Sequence, residues 1–184
     1  TAKPSYEGIV LTARRGTRTH DSNRVNLFAK VADWDVSACK SSREIVERYG
    51  YVREGDRKLY CTVRAKQPNA QGLLLEVDYA AGHLKERFVG NGIGNTQEVA
   101  VWRLKGLERK LFQAHAESVW ILAVPSICKG VEHFHFRFAT FTAAPRTELL
   151  GSLVEQGTIT MDHLIWDRGG RLVEKGPLFK ILPG

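Results

Sequence analysis

Residues 4–30 read PSYEGIVLTARRGTRTHDSNRVNLFAK. Ile9, Val10 and Leu11 form a short apolar run, and Arg24 to Lys30 alternates polar and apolar residues. Two such runs across a polar, glycine-bearing connection predict a β-hairpin. The connection is basic: it carries Arg14, Arg15, Arg18 and His20, followed by Asn23 and Arg24. Three guanidiniums within five positions suit phosphate contacts, which position a duplex without reading it. A merely solvated basic turn has the same composition.

Working outward, the chain of 184 residues suits a single domain spanning 1–184, and 43% hydrophobic residues suffice for a core. No apolar run approaches membrane-spanning length, and no signal-peptide pattern opens the sequence, so a soluble protein is expected. Cys39, Cys61 and Cys128 are widely spaced, odd in number and form no CxxC pair. That fits a reducing cytoplasm. The net charge of +7 and pI near 9.5 favour a polyanionic partner.

Patterning along the chain predicts a helix over 40–49, capped by Ser41 or Ser42 and ended by Gly50. Strands follow at 51–53 and 58–66 across an exposed turn, then an apolar strand at 72–79. Four glycines within 82–96 read as a mobile connection. A strand at 98–104, a helix at 105–115 and strands at 118–124 and 131–141 come next. A helix at 146–156, ended by Gly157, precedes strands at 159–166 and 176–182. This is a mixed α/β (α+β) pattern, with a central sheet flanked by few helices.

Val131 to Phe138, VEHFHFRF, alternates strictly. As a strand it sets His133, His135 and Arg137 on one face, and Phe134, Phe136 and Phe138 on the other, where they are expected to anchor the core. The polar face suits DNA, since Arg forks onto guanine or phosphate and His donates to either. A metal site is a weaker reading, with only Asp162 and His163 available as further ligands. Asn69 and Gln71, in Pro68–Gly72, are able to read adenine or to satisfy their own turn. Asp162, His163, Asp167, Arg168, Arg171 and Lys175 form a second polar cluster, and a Gly169–Gly170 turn would let their hairpin enter a groove. Glu76 and Asp78 share a strand face, but no strand lysine appears nearby to complete a catalytic set.

Taken together, the segment around residues 4–30 resembles the catalytic hairpin of the MvaI/BcnI restriction endonuclease family, a branch of the PD-(D/E)XK nucleases. The family pattern runs PD, two residues, G-x-E-L-K, a basic loop, S-x-S/R and a strand ending in L-F. Pro4, Gly8, Leu11, Arg14, Arg15, Ser22, Arg24, Leu27 and Phe28 fit it. Further blocks lie at 40–43, 58–62, 68–72 and 174–181, so the resemblance covers nearly the whole chain. It implies a restriction-endonuclease-like mixed sheet with two lobes around DNA, and enzymes that recognise short duplex sites such as CCWGG or CCSGG. It also implies that a helical segment found in family members before this hairpin is missing, or that the domain was excised from a longer chain. The three catalytic positions depart from the pattern. Ser5 stands for Asp, Val10 for Glu and Thr12 for Lys, with Glu7 the one carboxylate nearby.

Family nucleases hold Mg²⁺ with carboxylate oxygens and place a lysine beside the attacking water. Ser is a weak neutral ligand, Val none, and Thr has no positive charge. The expectation is therefore a sequence- or modification-specific binder of double-stranded DNA that uses no cofactor and does not cleave. It would serve with other domains or subunits of a restriction or defence system. The alternative is an active Mg²⁺-dependent endonuclease for a CCNGG-like site, its ligands supplied from elsewhere. A weaker third reading is a protein-interaction domain on the same scaffold.

Overall fold

The computed structural model describes residues 8–12, 24–90 and 95–182. The strands are β1 Gly8–Thr12, β2 Val25–Ala29, β3 Tyr51–Arg53, β4 Asp56–Val63, β5 Leu73–Asp78, β6 His83–Val89, β7 Thr96–Arg103, β8 Ser118–Cys128, β9 Val131–Thr142, β10 Ile159–Arg168, β11 Arg171–Glu174 and β12 Leu178–Ile181. The helices are α1 Ser42–Tyr49, α2 Leu104–His115 and α3 Leu150–Gln156. The fold is mixed α+β with strands dominant, as expected. The single central sheet is instead divided into three: β1-β8-β9, β5-β6-β7, and a six-stranded sheet in the order β2-β12-β10-β4-β3 with β11 also paired to β10.

The first two strands do not form a hairpin with each other. β1 runs parallel to β8, with Val10 opposite Ile121, whereas β2 runs antiparallel to β12 in the six-stranded sheet. The reason is visible in their patterns. An unbroken apolar run such as Ile9-Val10-Leu11 suits parallel pairing, while alternation suits an antiparallel strand with one covered face. The glycine-rich stretch after Gly82 is also corrected. His83 to Val89 is a full strand between β5 and β7, because its Leu84 and Glu86 turn inward and are buried.

Helix α1 forms where capping dictates. Ser41 accepts a hydrogen bond from the Glu44 amide at 3.2 Å, and Glu44 reaches back to the Lys40 amide at 2.7 Å. Gly50 ends the helix because a Cβ there would meet the Val46 carbonyl at 2.3 Å and the Lys58 carbonyl at 2.9 Å. Ser41→Ala is expected to lower stability by about 1 kcal/mol, read as a shifted denaturant midpoint with unchanged slope.

The core lies between the six-stranded sheet and the β5-β6-β7 sheet. Leu59, Val63, Met161, Ile165 and Phe179 of the former meet Leu73, Leu75, Leu84 and Trp102 of the latter, all essentially inaccessible. Phe179 stacks on Phe28 with centroids 4.9 Å apart and takes the edge of Trp102 at 5.9 Å. Helix α1 packs Ile45 and Val46 on the same side. Among the described residues the opposite face of the six-stranded sheet carries no such cluster, and that asymmetry positions the candidate site.

Candidate nucleic-acid interface

Register fixes which side chains share that outer face. Lys58, Tyr60 and Thr62 of β4 stand directly opposite Trp166, Leu164 and Asp162 of β10, and Thr160 of β10 stands opposite Lys180 of β12. Arg168 is directly opposite Arg171 of β11. Alternation sends Leu59, Cys61, Val63, Met161, His163 and Ile165 to the core side. A concavity of about 500 Å³ opens on the outer face, with Arg24, Tyr60, Thr62, Arg64, Asp162 and Lys180 in its lining.

Asp162 organises this surface. Arg24 holds it with a two-pronged pair, Nη1 to Oδ1 at 2.8 Å and Nη2 to Oδ2 at 2.9 Å, and also donates to Thr160 Oγ1 at 2.8 Å. Lys180 Nζ lies 2.8 Å from Oδ2 and Thr62 Oγ1 donates to Oδ1 at 2.7 Å. Burial pushes the Asp162 carboxyl up, but the bonds from Arg24, Lys180 and Thr62 together outweigh it and hold the group below the usual carboxylate range. One carboxylate thus fixes two cations at the floor, while Arg64 is exposed at the rim without a carboxylate partner among the described residues. Farther along the face, Lys58 Nζ and Arg168 Cζ lie 5.1 and 5.3 Å from the Trp166 ring, and the indole donates to Asp56 at 2.9 Å.

The residues expected to meet DNA divide sharply. Arg14, Arg15, Arg18, His20 and Asn23 lie outside the described residues, as does Ser5 of the three expected catalytic positions, while the other two, Val10 and Thr12, lie in β1. Arg24, Asp162, Arg168 and Arg171 come together on one face, and Lys175 is exposed just beyond β11. His163 does not join them. It is 1% exposed and points to the core, where Nε2 lies 2.8 Å from Glu86 Oε1. Adjacent residues on a strand face opposite ways, so Asp162 and His163 cannot share a site. Burial pushes the His163 imidazole down, but the charge and hydrogen bond of Glu86, with Glu174 and Asp162 behind, raise it overall.

Asn69 takes the second of its two expected roles. Its Oδ1 accepts from the amides of Gln71 and Leu73 at 2.9 and 3.0 Å, and its Nδ2 donates to the Thr62 carbonyl at 3.1 Å. It satisfies its own turn, and Gln71 beside it is half-buried. Glu76 and Asp78 do have a strand lysine near them. Lys85 of β6 bonds Asp78 at 2.8 Å, and Arg87 lies 3.6 Å from Glu76, so both carboxylates are spent in surface ion pairs.

Strand β9 departs most from expectation. Every one of its residues is exposed, including Phe136 and Phe138 at 68% each. The phenylalanines therefore do not anchor the core among the described residues. The ladder with β8 also slips at Arg137: Leu122 pairs with Phe138 and Ala123 with Phe136. The alternation that set Arg137 beside the histidines stops there. His133 and His135 keep a common face, and His135 Nε2 lies 2.9 Å from Ser126 Oγ.

Sequence reading missed Arg64, Lys180 and Tyr60. Their period-two placement on β4 and β12 was the available signal, but only the pairing of distant strands shows that they converge. Cys61 offers no nucleophile, since burial, helped by Glu86, pushes its thiol up to about 12. Among the described residues no group of three His, Cys, Asp or Glu side chains is arranged to hold a metal ion, and no helix is long and apolar enough to cross a membrane.

This strand-rich α+β fold is matched by solved structures of the restriction-endonuclease fold. Restriction endonuclease MvaI in the absence of DNA superposes with a TM-score of 0.67 at 18% identity, over 96% of this chain and 73% of that one. The complex of MvaI with its cognate DNA substrate gives 0.75 at 17% identity, over 95% and 72%. No curated protein matches the sequence. The model of the MvaI/BcnI restriction endonuclease family matches residues 1–184, and the chain belongs to that family.

Proposed function

We propose that this domain binds double-stranded DNA, in a sequence- or modification-specific manner, across the outer face of the six-stranded sheet, and does not cut it. The observation that carries the reading is the concavity in which Arg24 and Lys180 are fixed around Asp162 with Arg64 at the rim. Cations held at strand ends suit phosphate oxygens, and the guanidinium of Arg64 also suits a guanine edge. The net charge of +7 supports the same partner, as does the resemblance to MvaI, which has been solved with its cognate DNA. Such a domain would be the target-recognition part of a larger restriction or defence protein.

The Mg²⁺ that family nucleases employ does not fit the donor set here. Ser5, Val10 and Thr12 bring one hydroxyl, no donor and another hydroxyl where two carboxylates and an ammonium are needed. No step through the metal follows.

Gel-shift titration on a diverse duplex library, without divalent ions, is expected to show binding that weakens steeply with salt. Plasmid incubated with Mg²⁺ or Mn²⁺ is expected to stay intact. Arg64→Ala should cost roughly 1–3 kcal/mol on the preferred site if it reads a base edge. Arg14→Ala and Arg15→Ala should weaken all duplexes alike. The same comparison on Arg137→Ala sorts β9: a site-specific loss makes it a reader, no loss a solvated surface. Absence of binding at low salt would remove the proposal, and metal-dependent cleavage would favour the active endonuclease.

A further inference from the structure

The tip of the β10–β11 hairpin is built against its own stability. Arg168 and Arg171 are directly opposite each other across the two-residue turn Gly169–Gly170. Residues so paired have Cβ atoms about 5 Å apart, and like charges there repel. Both guanidiniums are exposed and have no carboxylate partner among the described residues. The turn holds Gly169 and Gly170 at φ 56° and 86°, the left-handed backbone that a two-residue hairpin turn requires and glycine adopts without strain. A Cβ on either glycine would meet nothing within 4 Å, so packing does not demand them.

The tip is nevertheless held in place. Arg43 of α1 donates from Nη1 to Asp167 Oδ2 and from Nη2 to the Gly170 carbonyl, both at 2.9 Å. Arg168 is oriented over Trp166. A braced hairpin that presents two arginines without carboxylate partners at directly opposed positions suits a phosphodiester, a monoanion with two non-bridging oxygens. Each arginine would donate to one oxygen, and the bare turn would let the backbone come close.

We infer that Arg168 and Arg171 form a clamp for a single backbone phosphate of duplex DNA. The inference rests on the DNA-binding reading above and adds to it a stoichiometry: two arginines, one phosphate. Each phosphate neutralised contributes about 0.9 to the slope of log affinity against log salt.

Titration of wild type, Arg168→Ala, Arg171→Ala and the double variant against one duplex at several salt concentrations tests it. Each single variant is expected to bind about tenfold more weakly on preferred and scrambled duplexes alike. The double variant should lose about 0.9 from the slope in total. Loss of about 1.8 would assign the arginines to two separate phosphates and overturn the clamp. Unchanged binding by both single variants would overturn it as well, with the DNA-binding reading intact. A wild-type protein that binds no duplex would instead remove that reading and the clamp with it. As a second readout, Arg171→Ala without DNA at low salt should melt at or above the wild-type temperature. A lowered midpoint would make Arg171 a structural residue and overturn the clamp.

Discussion

Asp162→Ala is expected to destabilise the fold by about 3 kcal/mol, because it removes the carboxylate shared by two cations that are themselves mostly buried. Arg24 and Lys180 side chains are 14% and 6% exposed, and Asp162 is their shared partner. The loss should depend on pH in a definite direction. The Asp162 carboxyl lies below its ordinary value in the folded state. Its contribution is therefore present above the unfolded value of about 3.9 and disappears as pH falls through the folded one. Urea unfolding of wild type and variant from neutral to acid pH should show two curves that converge at the acid end. Parallel curves would mean that the network does not titrate with this carboxyl.

The second large effect lies on the other side of the same strand. Glu86→Ala removes the partner of His163 where both side chains are 1% exposed or less. Removal of one member of such a pair costs about 3–5 kcal/mol while the other stays charged. Here the sign is opposite. The His163 imidazole is raised in the folded protein, so the pair's contribution is complete below the unfolded value of about 6.5. It fades as pH rises through the folded value. The gap between wild type and variant should thus be widest in mild acid and shrink toward alkaline pH. A gap independent of pH would show a neutral imidazole in the folded state. The pair also ties β10 to β6, so both sheets should loosen together when it is broken.

Much of the fold was legible because it is locally encoded. Ser41 and Gly50 mark α1 by capping and by steric stop, and Gly157, at φ 80°, ends α3. The apolar strands β5 and β8 and the amphipathic helix α2 follow from periodicity alone. What local pattern lacks is the identity of a strand's partner. Ile9 to Leu11 and Arg24 to Lys30 both read correctly as strands, yet each pairs with a segment more than a hundred positions away. Alternation likewise assigns faces without saying which is covered. That is why the sequence alone groups His163 with Asp162 and assigns the phenylalanines of β9 to the core. The insertion at Arg137 is not visible in VEHFHFRF, since a bulge is a property of two strands. Family membership, by contrast, was legible from the order of the motifs.

The order β2-β12-β10 has a consequence for how the protein is made. Among the described residues β2 pairs within its sheet with β12 alone, and that pairing must wait until Leu178 to Ile181 have been synthesised. Arg24, just before β2, reaches Asp162 only when that late strand has slotted between them. Pairings of such long sequence separation form slowly, because chain entropy must be surrendered before any contact rewards it. On the ribosome, then, the basic concavity cannot form before Leu178 to Ile181 emerge, and a nascent chain stalled before Leu178 would carry an open sheet edge.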